Sequence, residues 1–230
     1  MRPLRVTCLL AQPVIYHGDG MNLDGILSAG AWAAMSRADR AAHPSIQSEW
    51  VEDMPLPVAR WTCPTQPGID ERALADGLLW GWCTSDVQAK WVHRDRHALR
   101  KKSDTTAMQR WTGEPACDIG AGAHKGKDAA YETLWPEGGL LTWYCYGDQA
   151  EVLRLLRHVP YIGRLGAHGL GKIEAELDGT PCWRVDATED DLWHLRSLPV
   201  GHPLAKGAPR RIAFRSPRHH RTRLANCLTP

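Results

Sequence analysis

A glycine-rich stretch at residues 162–172 has the clearest chemical potential in this sequence. It reads IGRLGAHGLGK and so mixes glycines with basic side chains. Glycine lets a backbone come close to a ligand and leaves its N–H groups free to face an anion, while basic side chains add donors. The stretch therefore predicts a site for a phosphate-bearing ligand, with ordinary turn formation as the alternative. The residues expected to serve such a site are Gly163, Arg164, His168, Gly169, Gly171 and Lys172.

The element before the glycine stretch shows which classes of phosphate-binding loop the stretch does not match. Residues 148–158 predict a helix, because Asp148 can cap it, Glu151 can complete a capping box, and apolar residues recur at helical spacing. The glycines therefore follow a helix. Nucleotide-binding loops of the Rossmann and P-loop types instead lie between a strand and the start of a helix, so both classes are excluded.

Basic residues are concentrated in two segments, although the formal net charge is only +2. Residues 90–127 hold nine Lys or Arg and four acids, and the residues after Asp191 hold eight Lys or Arg and no acid. The first segment interleaves its bases with a tryptophan and histidines, a mixture suited to phosphate contact and base stacking. A solvated surface is the alternative for both segments. The basic residues expected to contact nucleic acid are Arg94, Arg96, Arg100, Lys101, Lys102, Lys125 and Lys127.

The predicted elements follow the order strand, helix, strand, insertion, strand, helix, strand. Residues 4–10 alternate as the first strand, and Asn22 can cap a helix that runs to about Met35. Residues 38–77 are rich in proline and read as an extended connection with a short helix near 70–76. The order predicts an α+β fold of the ferredoxin-like (RRM-like) type. The other parts are strands at 78–83, 140–146, 173–177 and 182–185, a turn at 178–179, and a basic insertion at about 86–138.

The glycine stretch and its surroundings resemble the repeat-associated RNA-binding (RAMP) proteins of CRISPR systems. Their signature is an apolar residue, Gly, five residues including a basic one, Gly, an apolar residue and Gly, and residues 162–171 match it at every position. The chain further resembles one branch, the Cas-five-like subunit of type IV CRISPR effector complexes. This second resemblance rests on short matches at residues 3–13, 22–27, 122–125, 146–148 and 195–199.

The resemblance implies a RAMP domain over residues 1–200, with the basic insertion as a thumb-like hairpin that grips RNA, and a basic C-terminal tail at 201–230. It also implies a subunit that caps the effector complex, holds the 5′ handle of the CRISPR guide RNA and contacts the backbone and large subunits. Some basic residues would then face target DNA near the flanking motif. Because no convincing acid, base or metal constellation surrounds the glycine stretch, we expect RNA binding without cleavage, and neither a cofactor nor a metal.

Two other functions fit the same residues. His17 follows the first strand, close to where RAMP endoribonucleases often keep a general base, so the chain could instead process precursor guide RNA without a metal. A histidine in such a Gly-Asp-Gly turn can equally be solvated. The third interpretation is a ferredoxin-like scaffold whose basic surfaces bind a protein. Co-purified nucleic acid would separate this scaffold from the other two functions.

Composition sets the class of protein. A chain of 230 residues with 43% hydrophobic residues can bury one good core, and no apolar run is long enough to cross a bilayer. We therefore expect a soluble cytoplasmic protein without a membrane partner. The seven cysteines include no Cys-x-x-Cys pair, so buried thiols are expected, with a zinc site from Cys63, Cys83 and Cys117 as the alternative. The tryptophans within predicted strands are expected in the core: Trp82, Trp143 and Trp183.

Overall fold

The computed structural model describes residues 1–15, 21–43, 53–101, 127–163, 166–216 and 221–230, with the backbone alone at 99–101, 127–129 and 221. These residues form the helices α1 (Leu23–Ala34), α2 (Arg37–Ala42) and α3 (Gln149–Leu156). No helix in this part of the chain has both the length and the apolar character that crossing a bilayer requires. The strands are β1 (Arg2–Leu9), β2 (Val14–Ile15), β3 (Arg60–Cys63), β4 (Leu74–Ala75), β5 (Leu78–Trp82), β6 (Trp91–Lys101), β7 (Lys127–Pro136), β8 (Leu140–Gly147), β9 (Trp183–Ala187), β10 (Leu198–Pro199), β11 (Ala208–Ala213) and β12 (Leu224–Thr229).

A central antiparallel sheet places β1 between β8 and β9. Along β1 the side chains of Leu4, Val6 and Cys8 are buried, while Arg5 points to the opposite face, as the predicted alternation requires. Helices α1 and α3 pack against each other and against the buried face. Since every strand pairing among the described residues is antiparallel, the chain is a mixed α+β protein.

The segment 84–88 runs beside β8 without forming a continuous strand. It makes isolated antiparallel bridges, from Thr84 to Cys145 and from Gln88 to Thr142. The central sheet therefore has four neighbouring segments in the order β9, β1, β8 and 84–88.

The strand predicted at 78–83 exists as β5, but it does not lie in the central sheet. It pairs with β3 and β4 instead. The guanidinium of Arg60 in β3 lies over the rings of Trp80 and Trp82, at 4.4 and 4.9 Å from their centroids. These cross-strand cation–π contacts favour pairing with β3, so the chain reaches β8 only after β5 has ended.

The main helices begin where the sequence predicts, but their caps differ from the prediction. The Asp148 carboxylate accepts a hydrogen bond from the Glu151 N–H at 3.0 Å, as predicted for α3. The Glu151 side chain bonds Arg154, and the Asp148 N–H donates to the Pro57 carbonyl, so the capping box is only half formed. Asn22 precedes α1 without a side-chain cap bond.

Residues 201–230, expected as a basic tail, include the strands β11 and β12 and belong to a second packed region. Strands β11 and β12 pair with each other, and β10 adds to the other side of β12. Their apolar side chains pack against those of β3 and β5, around Trp61 and Phe214. The expectation of a tail is therefore wrong for the described part. Arg210 and Arg211 are exposed there, but the residues that follow them, among them Ile212 and Phe214, are buried and anchor the segment in this region.

Three C-terminal arginines are buried and lie near carboxylates from the first third of the chain. Arg215 and Arg223 are 1% and 0% exposed, and both bond the Asp53 carboxylate, at 3.1 and 2.8 Å. Arg196 is also 1% exposed; it lies 3.9 Å from the Asp24 carboxylate and donates to backbone carbonyls. Burial lowers the pKa of Arg215 to about 10, against the opposing effect of Asp53, so this guanidinium stays charged at neutral pH.

The predicted insertion contains a long hairpin, which we call the hairpin below. Strands β6 and β7 pair from Trp91 opposite Pro136 to Lys101 opposite Lys127. Strand β2 holds the base of the hairpin by pairing with β7 at residues 133–134. Residues 102–126, which join the two strands, lie outside the described residues.

Two further predictions of secondary structure are corrected. Residues 173–177 do not form a strand. Ile173 makes an isolated bridge to Leu10, and Ala175 makes one to Pro181 across the predicted turn at 178–179, which is present. The apparent alternation misleads there because Leu177 is fully exposed and buries no face. Residues 38–77 are not simply extended, since they contain most of α2 and all of β3, and the short helix is a 3₁₀ turn at Glu71–Ala73.

Candidate nucleic-acid interface

The chain between β1 and β2 connects residues 162–172, called the glycine loop below, to the hairpin. The Ala11 N–H donates to the Lys172 carbonyl at 2.8 Å, and the Gly171 N–H donates to the Pro13 carbonyl at 2.7 Å. Directly afterwards the same segment becomes β2 and pairs with β7. One short segment thus holds the glycine loop close to the base of the hairpin.

A cleft of about 550 Å³ lies between the glycine loop and the hairpin. Two segments that the sequence analysis assigned separately to nucleic-acid contact therefore meet at one place. The hairpin contributes Asp95, Arg96 and His97 to the lining, and the glycine loop contributes His168, Gly169 and Lys172.

The glycines of the loop differ in how much space surrounds the position of a Cβ atom. A Cβ on Gly163 would come within 2.7 Å of the Ile15 carbonyl oxygen, and a Cβ on Gly171 would overlap the Ile162 carbonyl oxygen. Gly169 also has a positive φ, 83°, yet no atom lies within 4 Å of the position that its Cβ would occupy. The packing of the loop itself accounts for Gly163 and Gly171. Gly169 is the position where a ligand has room to approach the backbone.

The side chains of the cleft leave positive charge available to a ligand. Arg96 and Lys172 are exposed, and neither has an ion-pair partner among the described residues. Arg94 differs, because it lies 3.5 Å from the Glu132 carboxylate. The cleft holds one acid, Asp95, whose carboxylate accepts the Arg96 backbone N–H at 2.6 Å. Two unpaired cations against one carboxylate favour an anionic ligand.

The remaining predicted contacts are distributed as follows. Arg94 lies in β6 outside the cleft lining, and Gly163 and Gly171 shape the loop without lining the cleft. The structure describes only the backbone of three predicted residues in the hairpin strands: Arg100, Lys101 and Lys127. Four more predicted residues lie outside the described residues: Lys102, Lys125, Arg164 and the alternative general base His17.

Tyr161 and His97 line the cleft although neither was among the predicted contact residues. Tyr161 directly precedes the glycine loop and is 39% exposed. An aromatic residue adjoining a phosphate-binding candidate was a usable signal for it. His97 was noted only as part of a mixed basic segment. Its place in the cleft depends on the direction in which the hairpin projects, which the sequence does not indicate.

The tryptophans predicted in the core are there. Trp82, Trp143 and Trp183 are buried, and the indole N–H groups of the last two donate to backbone carbonyls at 2.7 and 3.0 Å. Buried indoles usually find such a partner. These three rings are therefore occupied in the core and cannot serve as exposed platforms for bases.

The described cysteines are free thiols. Cys8 and Cys145 are buried as predicted, and Cys182 is half-buried. Burial raises the pKa of Cys145 to about 12, and burial together with the Asp191 carboxylate raises that of Cys83 to about 12. Among the described residues no group of three or more metal-ligating side chains occurs, and Cys117 lies outside them.

The cleft combines the groups that a nucleic-acid backbone requires. Arg96 and Lys172 can neutralise phosphates, Gly169 exposes backbone, and His168 can donate a hydrogen bond. Comparison with models of protein families and with curated proteins finds no match to this chain.

Proposed function

We propose that this chain is the RNA-binding subunit of a type IV CRISPR effector ribonucleoprotein, and that it holds the 5′ handle of the guide RNA in the cleft. One observation carries the proposal: the glycine loop and the basic hairpin, distant in sequence, line the same cleft with Arg96 and Lys172 unpaired among the described residues. A role as a plain turn does not require a basic hairpin beside the glycine loop, whereas a role in binding phosphate does.

The strand order supports a ferredoxin-like (RRM-like) RAMP domain. In that fold four antiparallel strands stand in the order 4-1-3-2, with two helices on one face. Here β9, β1, β8 and residues 84–88 have this order and these directions, and α1 and α3 cover one face. The hairpin then occupies the position of the thumb-like insertion, between the second and third strands.

In this proposal, phosphates of the handle lie beside Gly169 and against Arg96 and Lys172. The subunit caps the complex, contacts the backbone subunit through the hairpin, adjoins the large subunit, and lies near target DNA at the flanking motif, in the cytoplasm. The other basic residues that we propose contact RNA are Arg94, Arg100, Lys101, Lys102, Lys125 and Lys127.

We further propose that the subunit binds RNA without cutting it. A general base for cleavage works best when a neighbouring group orients it. Among the described residues, the imidazoles of His97 and His168 have no hydrogen-bond partner, which supports a binding role.

The experiment co-expresses the full chain with the subunits encoded beside its gene and a repeat RNA, then treats the purified complex with nuclease. We expect the 5′ handle to be protected in the wild-type complex and lost from the double variant Arg96→Ala/Lys172→Ala. The matched control Arg210→Ala/Arg211→Ala removes two exposed charges from β11 and should keep the handle protected. Protection lost equally in both variants would contradict the cleft as the site.

The same RNA also tests catalysis. The isolated chain should leave the repeat RNA at full length in EDTA. A site-specific cut that His17→Ala abolishes would replace the proposed function with that of a metal-independent endoribonuclease.

A further inference from the structure

Tyr161 stands beside Lys172 at the cleft. The two residues form an isolated antiparallel bridge, with one backbone hydrogen bond on each side of the pair, at 2.9 and 3.0 Å. Residues flanked in this way are a non-hydrogen-bonded pair, whose side chains leave the backbone in the same direction with Cβ atoms about 4.5–5.5 Å apart. The phenol ring and the ammonium group therefore project together.

The local backbone has a glycine where the Tyr161 ring needs space. A Cβ on Gly166 would come within 2.9 Å of Tyr161 Cβ and 3.1 Å of its Cγ. A side chain at position 166 would therefore displace the ring from its place at the cleft. This gives Gly166, which the glycine signature does not require, a structural role in presenting Tyr161.

The exposure of Tyr161 contrasts with the other large aromatic residues near the core. Trp143 and Trp183 are buried, whereas Tyr161 is 39% exposed and is the one Tyr, Trp or Phe among the described residues that line the cleft. Arg96 borders the cleft from the opposite side, on the hairpin. An exposed ring that shares a cleft with two cations, neither paired among the described residues, matches the pattern that proteins use for single strands, in which bases stack on aromatic rings and cations hold the phosphates.

We propose that the cleft selects single-stranded RNA, with one unpaired base stacked on Tyr161 and its adjoining phosphates on Lys172 and Arg96. This inference rests on the proposed function, because it assumes that the cleft binds RNA. A base pair inside a helix cannot stack on the ring, because its neighbours in the helix cover both of its faces. The RNA held at this point is therefore unpaired even if the repeat forms a stem elsewhere.

The test measures binding of the full chain to a short single-stranded RNA with the handle sequence and to a blunt duplex of the same sequence. Loss of one stacked base weakens single-strand binding by about 5- to 150-fold, so we expect that loss in Tyr161→Ala and Tyr161→Leu. Tyr161→Phe keeps the ring and should stay within about threefold of the wild type. Duplex binding should not change in any of the three variants.

Two controls separate stacking from a general effect. Tyr144 on β8 is half-buried on the face opposite the core, so Tyr144→Ala should leave binding unchanged. The slope of affinity against salt should fall in Lys172→Ala and stay unchanged in Tyr161→Ala, since the ring neutralises no phosphate.

Each failure has a distinct meaning. If the wild-type chain binds no RNA, the proposed function fails and this inference fails with it. If wild-type RNA binding is retained by Tyr161→Ala, the inference alone is overturned. Equal losses in Tyr161→Phe and Tyr161→Ala would assign the effect to the hydroxyl group, and a loss in Tyr144→Ala would place the RNA on the sheet; either outcome would overturn stacking on Tyr161.

Discussion

Two regions of this chain are rich in arginine, and the structure uses them in opposite ways. In the hairpin Arg94 and Arg96 are exposed, and Arg96 borders an open cleft. In the C-terminal region Arg196, Arg215 and Arg223 are almost completely buried and bond carboxylates or backbone carbonyls of the same chain. Arg96 has no ion-pair partner among the described residues and can meet an external anion, whereas the three C-terminal arginines already have internal partners.

The difference shows that a basic composition does not tell whether an arginine is buried in the fold or exposed to a ligand. A guanidinium can be buried when a carboxylate and several carbonyl oxygens surround it, because the pair and the hydrogen bonds offset the loss of hydration. Arg215 has this environment: it bonds Asp53, donates to the carbonyls of Ala73 and Trp80 at 3.0 Å, and lies 4.0 Å from the centre of the Trp80 ring. Its function is to hold the fold together.

The largest expected effect comes from breaking the buried pairs. Asp53→Ala leaves Arg215 and Arg223 without their carboxylate, so the free energy of unfolding should fall by about 3–5 kcal/mol. Urea denaturation measures the change. Arg94→Ala in the hairpin breaks an exposed ion pair and should cost about 0–1 kcal/mol. Similar costs for the two variants would remove the distinction between the regions.

An intermediate effect concerns RNA and salt. For single strands the slope of log affinity against log salt is about 0.7 per neutralised phosphate, so Arg96→Ala/Lys172→Ala should reduce its magnitude by about 1.4. Arg210→Ala/Arg211→Ala removes the same charge from β11 and should leave the slope unchanged. Fluorescence anisotropy with the handle RNA gives both slopes. Equal reductions would mean that the net charge of the chain, and not the cleft, governs binding.

The smallest effect is a pH dependence confined to the C-terminal region. His202 is 7% exposed, between the rings of Trp61 and Trp193 at 5.3 and 5.8 Å. Burial, and then the charge of His194, lower the pKa of His202 below its ordinary value of 6.5. The folded state therefore binds this proton less tightly than the unfolded state does, so stability is retained above about pH 6.5 and declines as the pH falls below it.

Urea midpoints at about pH 7.5 and about pH 5.5 test this dependence. The fall in the midpoint should be smaller in His202→Phe than in the wild-type chain. His93 is exposed on the hairpin, so the urea midpoint of His93→Phe should fall as much as that of the wild-type chain. If the urea midpoint of His202→Phe falls as much as that of the wild-type chain, other groups cause the acid sensitivity.

The sequence by itself determined the features that depend on near neighbours. The cap of α3 by Asp148, the start of α1 after Asn22, the alternation along β1 and the turn at 178–179 are all present as predicted. Each depends on a spacing of two to four residues, and the physical preference acts within the same segment of chain. The spacing of the glycines also indicated a loop with unusual backbone requirements.

Tertiary structure alone decided which distant segments meet. The pairing of β5 with β3, the burial of Arg215 against Asp53, and the cleft that joins Arg96 to Lys172 and Tyr161 all bring together residues far apart in the sequence. An arginine can be buried only where the folded chain brings it a carboxylate and carbonyl oxygens, because these partners offset the cost of dehydrating the charge. Local sequence does not contain this information, since the partner lies elsewhere in the chain.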